Sequence, residues 1–355
     1  MGGTPIEPTN GSAGRPAPGA VMAAEMAEQP ARLASLLARG EDIARELRSV
    51  VPDSLAGTVL VARGSSDNAA RCGGYMLEMA TRRPVTSASP SVHNLYGATI
   101  DFSGYLMIAV SQSGRTPEIV DVVEKARRTG ACTVAVTNDP DSPLASAASM
   151  TVDLGVGREL AVPATKTVTA QIVCFALLAQ ALGDIGLDER AASALPDQVE
   201  EALRDQGPAA DIARWLAPSS RMATVARGLL YGAAGEVALK IEETTGKLAL
   251  GFSAADLRHG PIAIARTDVP ILAFAHPGPA SADVLELVDE LRARGADTRL
   301  AGPFATTDLS WSSAAPEILA PVLAVVRGQQ VSLELSLALG LDPDAPAGLT
   351  KVTVT

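Results

Sequence analysis

The stretch GYLMIAVSQSGRTPEIVDVVEKARRTGACTVAVTN, residues 104–138, decides the fold. It runs from a short apolar segment through a polar, glycine-containing turn into an amphipathic helical pattern. A glycine stop follows, and then a second apolar segment. Six apolar residues bounded by turn signals fit a buried strand, so the whole reads as strand, helix, strand. That alternation is the signature of a βαβ unit and a parallel sheet.

Working outward, the same order of elements returns in VPILAFAHPGPASADVLELVDELRARGADTRLAG, residues 269–302. An upstream match sharpens the repeat, because Val61-Ala-Arg-Gly64 recurs as Val225-Ala-Arg-Gly228, 164 residues later. Both copies end an apolar run, TVLVARG and MATVARG, and both lead into helix-like segments, NAARCGGYMLEMA and YGAAGEVALKIEE. Duplication of one α/β domain accounts for this pattern. A chain of 355 residues can bury two such cores.

The remaining segments fall around the two copies. The first twenty residues are rich in Gly, Pro, Ser and Thr and read as a flexible tail. Order begins near Val21 with a helix, a break at Pro30 and a second amphipathic helix. A helical connection, roughly Lys166 to Ala217, is expected to be interrupted at Gly183, Gly186 and Pro196. Its most apolar part, Thr167 to Leu182, is broken by Thr and Gln and reads as a buried helix rather than a membrane span. After the second copy comes an apolar helix from Pro316 to Gly340, then a tail ending in LTKVTVT that must be pinned elsewhere if it is ordered.

Composition narrows the function. A net charge of −11 argues against non-specific nucleic-acid binding, although backbone N–H groups at a helix start can still hold a small anion. Aromatic residues are 3% of the chain, too few for stacking platforms, which leaves a small polar ligand. No charged n-region with an apolar h-region opens the sequence, so no secretory signal is evident. Cys72, Cys132 and Cys174 form no CxxC pair and no metal-ligand spacing. They read as small buried hydrophobes, and a reduced, cytoplasmic compartment is the default expectation.

Four segments carry candidate chemistry. Ser111-Gln112-Ser113-Gly114-Arg115-Thr116 gathers hydroxyls, an amide and a glycine where a strand gives way to a helix. Orphan N–H groups there suit an anion, and Thr116-Pro117 is a good helix start. A plain hydroxyl-rich helix cap is the competing reading, but four ligand-type residues in six positions favour a phosphate site. Arg63-Gly64-Ser65-Ser66-Asp67 is a weaker signal of the same kind, raised by its place one βα unit earlier. Ligands gather at the carboxyl ends of strands in such sheets. Glu236, Lys240 and Glu243 share one helical face at spacings of four and three, which alone is equally the mark of an ordinary surface ion pair. His259 sits beside Gly260-Pro261 in a turn, whereas His93 and His276 have no supporting context.

Taken together, these segments resemble the sugar isomerase (SIS) domain family, and within it the isomerase half of glucosamine-6-phosphate synthase and its stand-alone relatives. The resemblance rests on MAEQPARL (26–33), ARGSSDNA (62–69), SQSGRTPE (111–118), RELAVPATKTVTAQ (158–171), GEVALKIEE (235–243), LRHGPIA (257–263) and the LTKVTVT tail. It implies an α/β fold of two tandem SIS domains, each a parallel sheet flanked by helices in a flavodoxin-like three-layer sandwich. The division expected is 1–20 as tail, 21–195 and 196–340 as the two domains, and 341–355 as a C-terminal tail reaching the active site.

The resemblance also implies roles. Ser66, Ser111, Gln112, Ser113 and Thr116 match the phosphate-binding positions, with Ser65 beside them. Val162 and Lys351 match positions that contact the sugar. Glu243 matches a general base moving a proton between C1 and C2, with Lys240 and Glu236 as its helix companions. His259 matches the group assigned to ring opening and would come from a neighbouring subunit, which implies a homodimer with the site at the subunit interface. No metal or organic cofactor is required, and the implied partner is a small phosphosugar rather than nucleic acid or membrane.

Three departures stand out. Arg115 replaces a usually acidic residue, Pro163-Ala164-Thr165-Lys166 replaces Ala-Ser-Thr-Lys, and Lys351-Val352 replaces Lys-Ser. The sequence also shows Gly2 rather than a nucleophilic cysteine and no glutaminase segment, which disfavours glutamine as nitrogen donor. The leading expectation is therefore an aminosugar-phosphate deaminase/isomerase converting glucosamine 6-phosphate to fructose 6-phosphate and ammonia. Lys351, as an amine, could also condense with a ketose carbonyl. The alternatives are a fructosamine-phosphate deglycase, a ketose/aldose phosphate isomerase, or a non-catalytic phosphosugar sensor.

Overall fold

The computed structural model describes residues 16–351. Most of the tail expected at 1–20, and the last four residues of the C-terminal tail, lie outside the described residues. Three helices come first: α1 (Ala20–Ala27), α2 (Gln29–Leu37) with Pro30 in its first turn, and α3 (Gly40–Val50). The first repeat then runs β1 (Gly57–Val61), α4 (Ser65–Thr81), β2 (Val85–Ser87), α5 (Pro90–Asn94), β3 (Tyr105–Val110), α6 (Pro117–Arg128), β4 (Cys132–Thr137), α7 (Pro143–Ala147) and β5 (Met150–Asp153). The connection is α8 (Lys166–Leu182), α9 (Glu189–Arg204) and α10 (Gly207–Leu216). The second repeat follows as β6 (Arg221–Ala226), α11 (Tyr231–Thr245), β7 (Leu248–Ser253), α12 (Ala254–Arg258), β8 (Ile271–Phe274), α13 (Ser281–Ala293) and β9 (Thr298–Ala301). The last helix is α14 (Ala320–Ala338).

Both sheets are parallel throughout, ordered β2-β1-β3-β4-β5 and β7-β6-β8-β9. The chain turns in opposite directions from β1 and from β6, and each reversal opens a crevice at the carboxyl ends of two central strands. Alternation along each strand serves two cores. Leu106, Ile108 and Val110 face a large core shared by both repeats, while Met107 and Ala109 face a smaller one under α6. The strands are therefore apolar on both faces, which is what the uninterrupted apolar runs required.

The shared core is built by α8 against α4 and α14 against α11, with α4 against α11 joining the repeats. Size complementarity sets these contacts. A side chain at Gly73 of α4 would collide with the Phe175 ring, and one at Gly328 of α14 would collide with Val237. The segment Glu317–Ala338 is long and apolar enough to cross a membrane by length and composition, but 89% of its apolar window is buried in this core.

One expected break is absent. Pro196 lies inside α9, which continues from Glu189 to Arg204, so the border drawn at 195/196 would cut a helix. Val199 and Ala202 beyond Pro196 are buried in the shared core, and that packing holds the helix together across the missing N–H. The tail after α14 is pinned as required. Asp344 accepts from the amides of Val21 and Met22 at the start of α1, at 3.0 and 2.7 Å, and its carbonyl accepts from Val162 N–H.

Candidate active site

The crevice beside β1 and β3 holds a cavity of about 360 Å³, within the range typical of small-molecule sites. Two strand-to-helix turns form its floor. Gly64, in a positive-φ conformation that a side chain would strain, delivers Ser65 and Ser66 to the first turn of α4. Gly114, also at positive φ, lets the second loop turn tightly against Ser142 and Thr137. Ser111, Gln112, Ser113 and Thr116 all line the cavity, as do Ser65, Ser66 and Val162. Thr116 occupies the cap position of α6 without using its hydroxyl as a cap. Pro117 has no N–H and the amides of Ile119 and Val120 donate to Thr116 O, so the Thr116 hydroxyl and the Glu118 N–H are the donors this helix start can offer an anion. Arg63 also lines the cavity, whereas Arg115 is paired with Asp139 at 2.8 Å and is not part of the wall.

The opposite wall comes from the second repeat. Glu243 reaches the cavity from the last turn of α11, and Lys351 reaches it from the tail. Behind Glu243 stand Lys240 and Glu236, each 1% exposed. Their spacing is that of a surface ion pair, but the helix is buried against α4 and α14. Lys240 Nζ lies 3.5 Å from Glu236 Oε1 and donates a hydrogen bond to Glu243 Oε2. Burial alone would pull the Lys240 ammonium down, but the two carboxylates outweigh it and hold it above the ordinary lysine value. Burial pushes the Glu236 carboxyl up against the pull of Lys240. Asn68 donates to Glu236 Oε2 at 3.1 Å, which ties this group to the first repeat. A buried charged group of this kind gives little net stability, so its presence behind a cavity-lining carboxylate calls for another reason than stability.

Sequence reasoning overlooked the residue that joins the walls. Glu159 is fully buried, and its Oε2 accepts from Gln112 Nε2 (3.2 Å), Thr167 Oγ1 (2.8 Å) and Lys351 Nζ (3.2 Å). Its Oε1 accepts from the amides of Thr165 (2.8 Å) and Thr167 (3.2 Å) at the start of α8. Burial would push this carboxyl up, but the Lys351 ammonium and those donors hold it below the ordinary value. Lys351 Nζ also donates to Ala161 O at 2.7 Å. Gln171 was overlooked as well; it donates to Ser66 Oγ at 3.0 Å and orients that hydroxyl. The available signal was the set of polar residues Thr165, Lys166, Thr167, Thr169 and Gln171 at the entry to an otherwise apolar helix, with Glu159 six residues upstream of Thr165.

The structure does not bring His259 to this cavity. It is exposed at the end of α12, and among the described residues its side chain has no hydrogen-bond partner and does not line the pocket. His276, by contrast, is buried and bonded to Trp311 Nε1 and Ala315 O. Cys72 and Cys174 are buried as expected, with burial pushing both thiols to about 12, and Cys132 is partly buried. Among the described residues no cluster of His, Cys, Asp and Glu is arranged to hold a metal ion.

Comparison with known proteins agrees with the fold of two tandem repeats. A glutamine–fructose-6-phosphate aminotransferase (isomerizing) of Methanothermobacter thermautotrophicus is 30% identical over 344 residues, covering 94% of this chain and 57% of that protein. Its counterpart in Leifsonia xyli is 31% identical, covering 94% and 58%. The chain thus spans little more than half the length of these curated relatives. Among solved structures, a protein of Silicibacter pomeroyi provisionally named a phosphosugar isomerase superposes with a TM-score of 0.83 at 31% identity, covering 91% of this chain and 99% of that one. The C-terminal domain of the Francisella tularensis glucosamine-fructose-6-phosphate aminotransferase shares the fold, with a TM-score of 0.80 at 22% identity over 92% of this chain and 98% of that domain. The SIS domain itself matches at residues 58–181 and 215–315, well over half of the sequence, one match for each repeat. The chain belongs to the SIS domain family.

Proposed function

We propose that the protein is an aminosugar-phosphate deaminase/isomerase acting on glucosamine 6-phosphate. The observation that carries this reading is one cavity lined both by the hydroxyl loops, Ser65-Ser66 and Ser111 to Thr116, and by Glu243 and Lys351. The loops and the α6 start anchor the phosphate, and the energy of that remote contact orients the reacting carbons. Glu243 removes the C2 proton from the open-chain sugar, with Lys240 fixing its carboxylate; a positioned base typically contributes about 10² to 10⁴ in rate. Return of the proton to C1 leaves a C2 imine, which water hydrolyses to fructose 6-phosphate and ammonium. Lys351 contacts the open-chain sugar, and Glu236 supports Lys240.

Two further points belong to the proposal. His259 would open the sugar ring in the cavity of a second copy of the chain, which makes the working unit a homodimer. None of the three cysteines lines the cavity, so no thiol takes part in the proposed steps. A ketose/aldose phosphate isomerisation is the second reading. The likeness to the Silicibacter protein favours it, and it uses the same Glu243 step without loss of nitrogen. Purified protein supplied with glucosamine 6-phosphate separates the two. Equal release of ammonium and fructose 6-phosphate supports the deaminase; turnover of a ketose phosphate to an aldose phosphate with no ammonium from the aminosugar supports the isomerase.

A further inference from the structure

Arg63 is a cation in the cavity wall at the floor formed by the two hydroxyl loops. Its guanidinium donates through Nη2 to Glu118 Oε2 at 2.9 Å and through Nη1 to the Ala62 carbonyl at 3.2 Å. Glu118 stands in the first turn of α6, two residues after Thr116, where a carboxylate already satisfies the positive helix end. The pair is unequal in exposure: the Arg63 side chain is 50% exposed and that of Glu118 is 20%. An arginine that is half in solvent, held to the carboxylate through one nitrogen and otherwise only to the carbonyl of its chain neighbour, can turn toward the cavity more freely than the less exposed Glu118.

The second repeat offers an internal control. Arg227, 164 residues on from Arg63, lies 3.5 Å from Asp283 in the first turn of α13, so the fold itself uses an arginine bridge at this point. There, however, Asp283 is also held by Arg258 at 2.6 Å, and the neighbouring loop is His276-Pro277-Gly278 instead of Ser-Gln-Ser-Gly. A purely structural bridge and a ligand clamp therefore differ in a measurable way.

We infer that Arg63 is the residue that selects a phosphate dianion in this cavity, held by Glu118 when the site is empty and released to the phosphate when it fills. The inference rests on the phosphosugar reading of the cavity. A planar guanidinium pairs with two phosphate oxygens at once, adding charge-assisted bonds to a cradle otherwise made of neutral donors. Glu118 competes for the same nitrogens, so empty and filled states exchange one anion for another.

Titration calorimetry with fructose 6-phosphate and with inorganic phosphate tests this on the full chain. Arg63→Ala should weaken fructose 6-phosphate binding about 10- to 100-fold, as expected for charge-assisted bonds, and Arg63→Lys should restore only part of it. Glu118→Gln should tighten binding, and that gain should vanish when combined with Arg63→Ala, because the gain comes from freeing the arginine. Arg227→Ala should leave the affinity within about 2-fold. Unchanged affinity in both Arg63 variants, or a Glu118→Gln gain that persists without Arg63, overturns the role of Arg63 and leaves the phosphosugar reading intact. If the wild-type protein binds neither phosphate, that reading fails and this inference fails with it.

Discussion

The two repeats keep the same backbone and divide the chemistry between them. A constant offset of 164 residues relates β1 to β6, β3 to β8, α6 to α13 and β4 to β9. At that offset Gly64 and Gly114 recur as Gly228 and Gly278, but every hydroxyl of the cradle is gone. Ser65 and Ser66 become Leu229 and Leu230, and Ser111, Ser113 and Thr116 become Ala275, Pro277 and Ala280. The Glu317 carboxylate packs against Gly278, where Gly114 faces the Ser142 hydroxyl. On α11 and α4 the exchange is reversed. Glu236, Lys240 and Glu243 in the second repeat correspond to Cys72, Met76 and Met79 in the first. One copy has kept the anion cradle and the other a charged helix, and the α4–α11 contact brings both to one cavity.

The comparison can be broken most severely at Lys240. Lys240→Met installs the residue of the first repeat; it strands the Glu236 carboxylate in the core and leaves Glu243 in the cavity wall without its ammonium partner. Loss of about 3–5 kcal/mol is expected in denaturant unfolding, the usual result of removing one partner from a buried charged group. Converting all three positions, Glu236→Cys, Lys240→Met and Glu243→Met, should recover most of that stability, because an apolar set of similar size needs no desolvation. If the triple variant is as unstable as the single one, the charged helix is a structural element and not a functional one.

The reverse exchange is milder. Ser111→Ala, Ser113→Pro and Thr116→Ala together give the first loop the character of the second. Phosphosugar affinity should fall about 100- to 1000-fold, since about two to three hydrogen bonds to a charged group are lost and each contributes roughly tenfold. Thermal stability should fall only modestly, as Ser113 and Thr116 are at least partly solvent-exposed and the buried Ser111 hydroxyl serves one loop amide, that of Gly114. Retained affinity would mean that the α6 start alone holds the anion.

The smallest effect belongs to buried His276 beyond β8 in the second repeat. His276 accepts from Trp311 through Nδ1 and bonds Ala315 O through Nε2, an arrangement open only to the neutral ring, and burial pulls its pKa below 6.5. A folded-state value below the unfolded one means that the unfolded chain binds more protons. The stabilisation is thus complete above about pH 6.5 and is lost as pH falls through the folded value. Melting curves from pH 7.5 to 5 should show a decline that is smaller in His276→Gln, by about 2 °C or less. Identical pH profiles would remove His276 from the account.

The repeat was legible because parallel strands buried on both faces leave continuous apolar runs, and because Gly64 and Gly228 mark the same turn in both copies. The hydroxyl loops were legible for a related reason, since Ser, Gln and Thr crowd a strand-to-helix junction where only a ligand or a cap needs them. Glu159 was not, because its partners Gln112 and Lys351 lie 47 and 192 residues away and no local period records such a meeting. The burial of Glu236 and Lys240 was half legible: the spacing gave the shared face, while the small residues of YGAAGEVALK, which let neighbouring helices close in, went unused. Pro196 misled because tertiary packing carried α9 across the residue that local rules treat as a stop.

The division of labour itself is tested most directly on Glu243→Gln, by measuring turnover of glucosamine 6-phosphate and phosphosugar affinity on the same sample. The account predicts turnover lower by at least about 10² with an affinity within about 2-fold of wild type, because the base is lost and the cradle is untouched. Unchanged turnover, or affinity lost in step with turnover, would contradict it.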